Sequence, residues 1–159
     1  VTSRADRYWE QYLDSLPADA ARPERYVEAF SFGFGPADAS EIAKLVLEGT
    51  KTATGSVLWE IEFDGQPVPR AGDHWIVEDG EGEPVCIIET KEVSAIPFDE
   101  VPATYAVEGG EGDCSVETWR SIYWRCIVSA CERIGREPSR KAPLVMERFE
   151  VVYRQPPHR

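Results

Sequence analysis

An α+β fold, a mostly antiparallel β-barrel with helices packed around it, is the class that three features of this 159-residue sequence predict. Apolar residues recur at helical spacing at the start of the chain, near residue 42 and again after residue 115. From residue 56 to residue 96 the pattern changes to strands. Gly, Pro and Asp separate those strands at short intervals, as in a barrel rather than in βαβ units.

Tyr8, Trp9, Tyr12, Leu13 and Leu16 form the stripe of an amphipathic helix over residues 3–16, with Ser3 and Asp6 placed to cap it. Residues 17–25, rich in Pro, Ala and charge, read as a connection to a strand over Tyr26 to Phe32, closed by the turn Gly33 to Pro36. A second helix is expected from Ala37 to Glu48, burying Ile42, Leu45 and Val46 and ending at Gly49. Strands follow at Ser56 to Phe63, His74 to Glu78 and Val85 to Ile96, with Asp79 to Glu83 as a hairpin loop between the last two. Pro102 limits Phe98 to Tyr105 to a turn of helix, and Glu108 to Asp113 reads as an acidic Gly-rich loop. Ser115 caps a long helix that carries Trp119, Ile122, Tyr123, Cys126, Ile127, Ala130, Cys131 and Ile134 and stops at Gly135; Leu144 to Tyr153 supplies the last strand.

Composition narrows the function. Seventeen basic against 29 acidic side chains give a formal charge of −12, which repels a phosphate ladder and opposes tight non-specific nucleic-acid binding. No apolar run approaches the roughly 20 residues that cross a bilayer, so no membrane partner is expected. The first residues lack the apolar core of a signal peptide, and the four cysteines lack C-x-x-C spacing, so a cytoplasmic protein with reduced thiols is expected. With His74 and His158 as its only histidines, the chain is expected to hold no metal and to need no cofactor.

Chemistry concentrates in Gly49-Thr50-Lys51-Thr52-Ala53-Thr54-Gly55-Ser56, one amine and four hydroxyls in a helix-to-strand connection. A buried Lys51 can act as a neutral amine and take the proton of a nearby hydroxyl, activating a Ser or Thr nucleophile. The same composition fits a solvated loop whose hydroxyls cap backbone groups. Glu108 to Asp113 offers carboxylates on a backbone that glycines allow to approach closely, and it fits equally a solvated acidic turn. Trp59, Trp75, Trp119 and Trp124 could stack on a base, Trp119 being better read as core.

The ordered set of segments resembles the ASCH (activating signal cointegrator homology) family. It runs from Phe30-Ser31-Phe32-Gly33 through Val46-Leu47-Glu48-Gly49-Thr50-Lys51-Thr52-Ala53-Thr54, Ser56-Val57-Leu58-Trp59-Glu60 and Gly72-Asp73. It continues through Val85-Cys86-Ile87-Ile88-Glu89-Thr90, Glu111-Gly112-Asp113, Trp119-Arg120 and Glu147-Arg148-Phe149-Glu150-Val151-Val152. The resemblance implies a PUA-like domain over residues 26–154, with residues 1–25 a helix and connection of the same domain and residues 155–159 a loose tail. It implies a nucleoside or RNA as partner. The activity implied is that of the small amidohydrolases that remove the acetyl group of 4-acetylcytidine, with RNA binding without catalysis, or a ribonuclease, as alternatives. By that resemblance Lys51 is the base, Thr54 the nucleophile and Glu111 the carboxylate that binds the base edge or relays a proton. Thr52, Gly55, Ser56, Trp59, Glu108 and Tyr123 are the expected substrate contacts, with backbone N–H groups near Gly55 and Ser56 holding an oxyanion. Many relatives carry Glu at the position of Gly109 and His at that of Tyr123, and the first departure lets Glu108 compete with Glu111 for the role.

Overall fold

The structure, a computed structural model, describes residues 2–154. The expected tail at 155–159, with His158, lies outside the described residues. Five strands make a half-barrel, hydrogen-bonded in the order β1-β3-β4-β5-β2: β1 Glu28–Phe30, β2 Ala53–Val57, β3 His74–Glu78, β4 Pro84–Pro97 and β5 Pro143–Arg154. The helices around this curled sheet are α1 Arg4–Ser15, α2 Pro36–Leu47, α3 Leu58–Phe63, α4 Thr104–Gly109 and α5 Val116–Ile134. Pairs β3/β4 and β2/β5 are antiparallel as expected, while β1 runs parallel to β3 and makes the sheet mixed.

The chain divides into two compact units, and β4 and β5 give residues to both. Of the described residues, the first comprises 2–48, 72–89 and 150–154. Here the Ser3 hydroxyl accepts the Asp6 N–H at 3.0 Å and starts α1. The buried stripe Ala5, Tyr8, Trp9 and Tyr12 closes over Tyr26, Ile76 and Ile87. The Asp79 carboxylate accepts the N–H groups of Glu81 and Glu83, which shapes the β3–β4 hairpin as an acidic turn.

The second unit comprises residues 49–71 and 90–149. The Ser115 hydroxyl accepts the Thr118 N–H, and Gly135 in the left-handed region ends α5 after 19 residues. The inner side of α5, with Trp119, Tyr123, Ile127, Ala130 and Cys131, packs on Ala53, Val57, Leu144 and Met146 of the sheet and on Tyr105 and Ala106 of α4. The four cysteines form no disulfide, and burial pushes the Cys86 thiol up to about 12 and that of Cys126 to about 11.

Two expectations are corrected in this unit. Ser56 to Phe63 is not one strand, because the chain turns into α3 at Leu58. The alternation of Val57, Trp59, Ile61 and Phe63 imitates a strand, yet a helix sets Glu60 and Asp64 on one face, where Arg133 of α5 pairs with both at 2.7 Å. The acidic loop also begins later than expected. Pro102 lies before α4, not within it, its carbonyl accepts the Tyr105 N–H, and the buried Tyr105 and Ala106 carry the helix on to Gly109.

Candidate active site

Every residue expected to do chemistry falls in the second unit. Where β2 begins, its backbone is held on both sides: the Thr52 N–H donates to the Glu108 carbonyl at 2.7 Å, and the Thr52 carbonyl accepts the Phe149 N–H at 3.0 Å. Lys51 precedes this clamp and is 1% exposed. Its Nζ donates to the Gly109 carbonyl and to Oε2 of Glu111, each at 3.2 Å. A buried ammonium is costly unless paired and hydrogen-bonded, and α4 with its following turn supplies both partners.

That approach depends on Gly110. Its φ of +68° lies in the left-handed region, and a Cβ there would stand 2.5 Å from the Thr50 carbonyl oxygen and 2.9 Å from the Lys51 nitrogen. The expected role of glycine in this acidic segment, close backbone approach, is located at this residue.

The two glutamates have different partners. Oε2 of Glu108 accepts from Nε of Arg148 at 2.7 Å, and that guanidinium also meets Glu92 and lies over the Tyr105 ring. Glu111 is the carboxylate on Lys51.

Along β2, Ala53 and Val57 face the apolar core. Gly55 lies on that side too, and a Cβ there would stand 2.7 Å from Sδ of Met146 and 3.0 Å from Cε1 of Tyr123. Tyr123 is buried, stacked on Trp119, and its hydroxyl oxygen accepts the Gly55 N–H at 3.1 Å. The Gly55 N–H, expected to face an oxyanion, is therefore donated within the fold. Thr54 and Ser56 are half-buried and alternate to the other face of the sheet, and Thr52 is exposed. Trp59 is carried away from the strand on α3, with the Arg136 guanidinium 3.4 Å from its ring centroid.

Sequence reasoning missed two polar pairs. In the second unit, the Thr90 hydroxyl donates to Oε1 of Glu147 at 2.9 Å, Thr90 being 1% and Glu147 6% exposed. In the first unit, His74 is buried against Trp9 and Tyr12, with Nδ1 2.9 Å from the Gly72 carbonyl and Nε2 3.7 Å from Glu89. The available signal was a charged residue inside an apolar strand pattern, Glu89 after Val85 to Ile88 and Glu147 after Leu144 to Met146. The fold thus holds side chains able to move protons: Lys51 with Glu111, His74 with Glu89, and Thr90 on Glu147. Among the described residues no group of three or more His, Cys, Asp or Glu is arranged to hold a metal ion, and no helix is long and apolar enough to cross a membrane.

The half-barrel with a lysine at the helix-to-strand connection defines a PUA-like protein. The ASCH domain model matches residues 28–153, and the chain belongs to the ASCH domain family. The crystal structure of an ASCH domain from Lactobacillus crispatus JV V101 is similar, with a TM-score of 0.86 and 32% identity over 94% of each chain. So is that of a protein from Enterococcus faecalis V583, with a TM-score of 0.82 and 26% identity over 94% of this chain and 88% of the other. A comparison with curated proteins finds no match.

Proposed function

We propose that this ASCH-domain protein binds a nucleoside and hydrolyses an acyl group from the exocyclic amine of a modified pyrimidine nucleoside such as 4-acetylcytidine. The observation that carries the reading is the burial of the Lys51 amine against Glu111, three residues before the Thr54 hydroxyl on β2. Net charge supports it as well, because a free nucleoside lacks the phosphates that a chain of charge −12 repels.

In this reaction Thr54 Oγ1 attacks the acyl carbonyl carbon and its proton passes to the Lys51 amine, which has first given a proton to the Glu111 carboxylate beside it. Collapse of the tetrahedral intermediate breaks the carbon–nitrogen bond, and the departing amine takes a proton from the Lys51/Glu111 pair. Water then attacks the acyl-threonine, releasing the carboxylic acid and restoring the hydroxyl. Thr52, Ser56 and Glu108 flank the reacting groups as substrate contacts in this reading.

The test is incubation with 4-acetylcytidine, read by mass for cytidine and acetate. Thr54→Ala and Lys51→Arg should each lose about 10²- to 10⁴-fold in turnover, since an unreactive methyl or a guanidinium that keeps its proton ends proton transfer. Thr54→Ser should keep part of the activity. Full activity of Lys51→Arg would reduce the lysine to an electrostatic clamp and remove the mechanism.

A second reading, RNA binding without chemistry, is favoured by one observation. Arg136 and Arg140 lie over the Trp59 and Trp124 rings at 3.4 and 3.9 Å from the centroids, a basic and aromatic surface on an acidic chain. Retention of short RNAs, lost on Arg136→Ala together with Arg140→Ala and without any mass change in the nucleosides, would support it.

A further inference from the structure

We infer that Glu147, held by Thr90, is a positioning residue for the Thr54 hydroxyl. The inference rests on the hydrolase reading and adds to it a carboxylate to which neither sequence pattern nor resemblance gave a role.

Thr54 of β2 and Glu147 of β5 are direct partners in the antiparallel register. Side chains so paired project on the same face, with Cβ atoms roughly 5 Å apart. The other face of this strand pair carries Ala53, Val57, Leu144 and Met146 in the core beneath α5, with Arg148 paired to Ala53 at its end. Thr54, Ser56 and Glu147 share the opposite face with the buried Val145.

Glu147 is 6% exposed, and Thr90 on β4 donates to its Oε1. That bond fixes where the carboxylate stands. A threonine side chain has two branches of nearly equal size, so the rotamer that presents Oγ1 instead of the methyl must be chosen by a neighbour. A carboxylate on the same face, in the directly paired position, makes that choice by attracting the hydroxyl and repelling nothing but the methyl. When substrate arrives, the hydroxyl hydrogen turns from that carboxylate and Oγ1 gives its proton to Lys51.

The test compares kcat and KM for 4-acetylcytidine in the wild type, Glu147→Gln, Glu147→Leu, Thr90→Val and Thr90→Ser. Glutamine keeps an acceptor oxygen, so Glu147→Gln should stay within a few-fold of the wild type with an unchanged pH profile. Glu147→Leu should lower kcat by about 10- to 100-fold, the cost of a misplaced reacting atom, with KM unchanged. Thr90→Val should lower kcat in the same sense and Thr90→Ser should restore it, which keeps the test open if Glu147→Leu fails to fold. In a Thr54→Ala background none of these changes should matter.

Equal kcat in wild type, Glu147→Leu and Thr90→Val would overturn the inference while leaving the hydrolase in place. A Glu147→Gln variant as inactive as Glu147→Leu, with a shifted pH profile, would also overturn it, since the carboxylate would then carry a proton in the reaction. A wild type that releases no acyl group would remove the hydrolase reading and this inference together, a result distinct from either of the others.

Discussion

Replacing Gly110 with alanine tests whether close backbone approach holds the lysine in place. An L-residue forced to φ +68° costs about 1 kcal/mol for the left-handed conformation. Its Cβ would also lie 2.5 Å from the Thr50 carbonyl oxygen, against an ordinary carbon–oxygen separation of roughly 3.3 Å. Backbone must therefore move by nearly an ångström, and the Thr52 to Glu108 hydrogen bond beside it, 2.7 Å long, is the first to open, at a further cost of about 1 kcal/mol. With about 1 kcal/mol of overpacking, the lower end for inserting a methyl group, the total is about 3 kcal/mol, or roughly 6–12 °C in Tm for a chain of this size. Gly65 supplies the control, because its φ is +65° and a Cβ added there would meet nothing within 4 Å. Gly65→Ala should cost only the conformational part, about 1 kcal/mol. Urea unfolding followed by tryptophan fluorescence measures both, and equal losses in the two variants would refute the claim that steric contact with Thr50 and Lys51 sets the position of α4.

Two more outcomes follow from titration and burial. Hydrogen bonds from Ser115 and Thr118 hold the Asp113 carboxyl at about 2, below the ordinary 3.8, so its contribution is present above pH 3.8 and is lost as pH falls toward 2. The Tm advantage of the wild type over Asp113→Asn should shrink across that window, and an advantage constant from pH 5 to pH 2 would count against it. At pH 8 in the native state, Cys86 and Cys126, pushed to about 12 and about 11 by burial, should resist iodoacetamide, whereas half-exposed Cys114 should be alkylated first; early modification of Cys86, located by peptide mass, would contradict the packing.

Elements that carry their own stop and start signals could be read from the chain. Ser3, Ser115 and Gly135 mark helix ends by local hydrogen bonding, and Asp79 shapes its hairpin from within five residues. What failed depended on distant partners. Nothing within Leu58 to Phe63 announces that Arg133 will pair with Glu60 and Asp64, and nothing after Pro102 announces that Tyr105 and Ala106 will be buried. The site divides in the same way. Lys51 and Glu111 were set in one site through a resemblance and lie 3.2 Å apart, while Glu108, the other carboxylate of that segment, pairs with Arg148. Alternation, which assumes one wet face, gives Glu147 no special standing, yet both Met146 and Glu147 are buried here.

The carbonyl that Gly109 offers to Lys51 belongs to the main chain, so mutation at that codon cannot delete it. A side chain at 109 would start 3.5 Å from Cδ1 of Trp119, an ordinary contact. Position 109 thus has room for a Cβ, while the acceptor that the lysine uses stays in the main chain. A substitution at 109 would therefore change what lies against Trp119 without taking away the oxygen on which the amine rests.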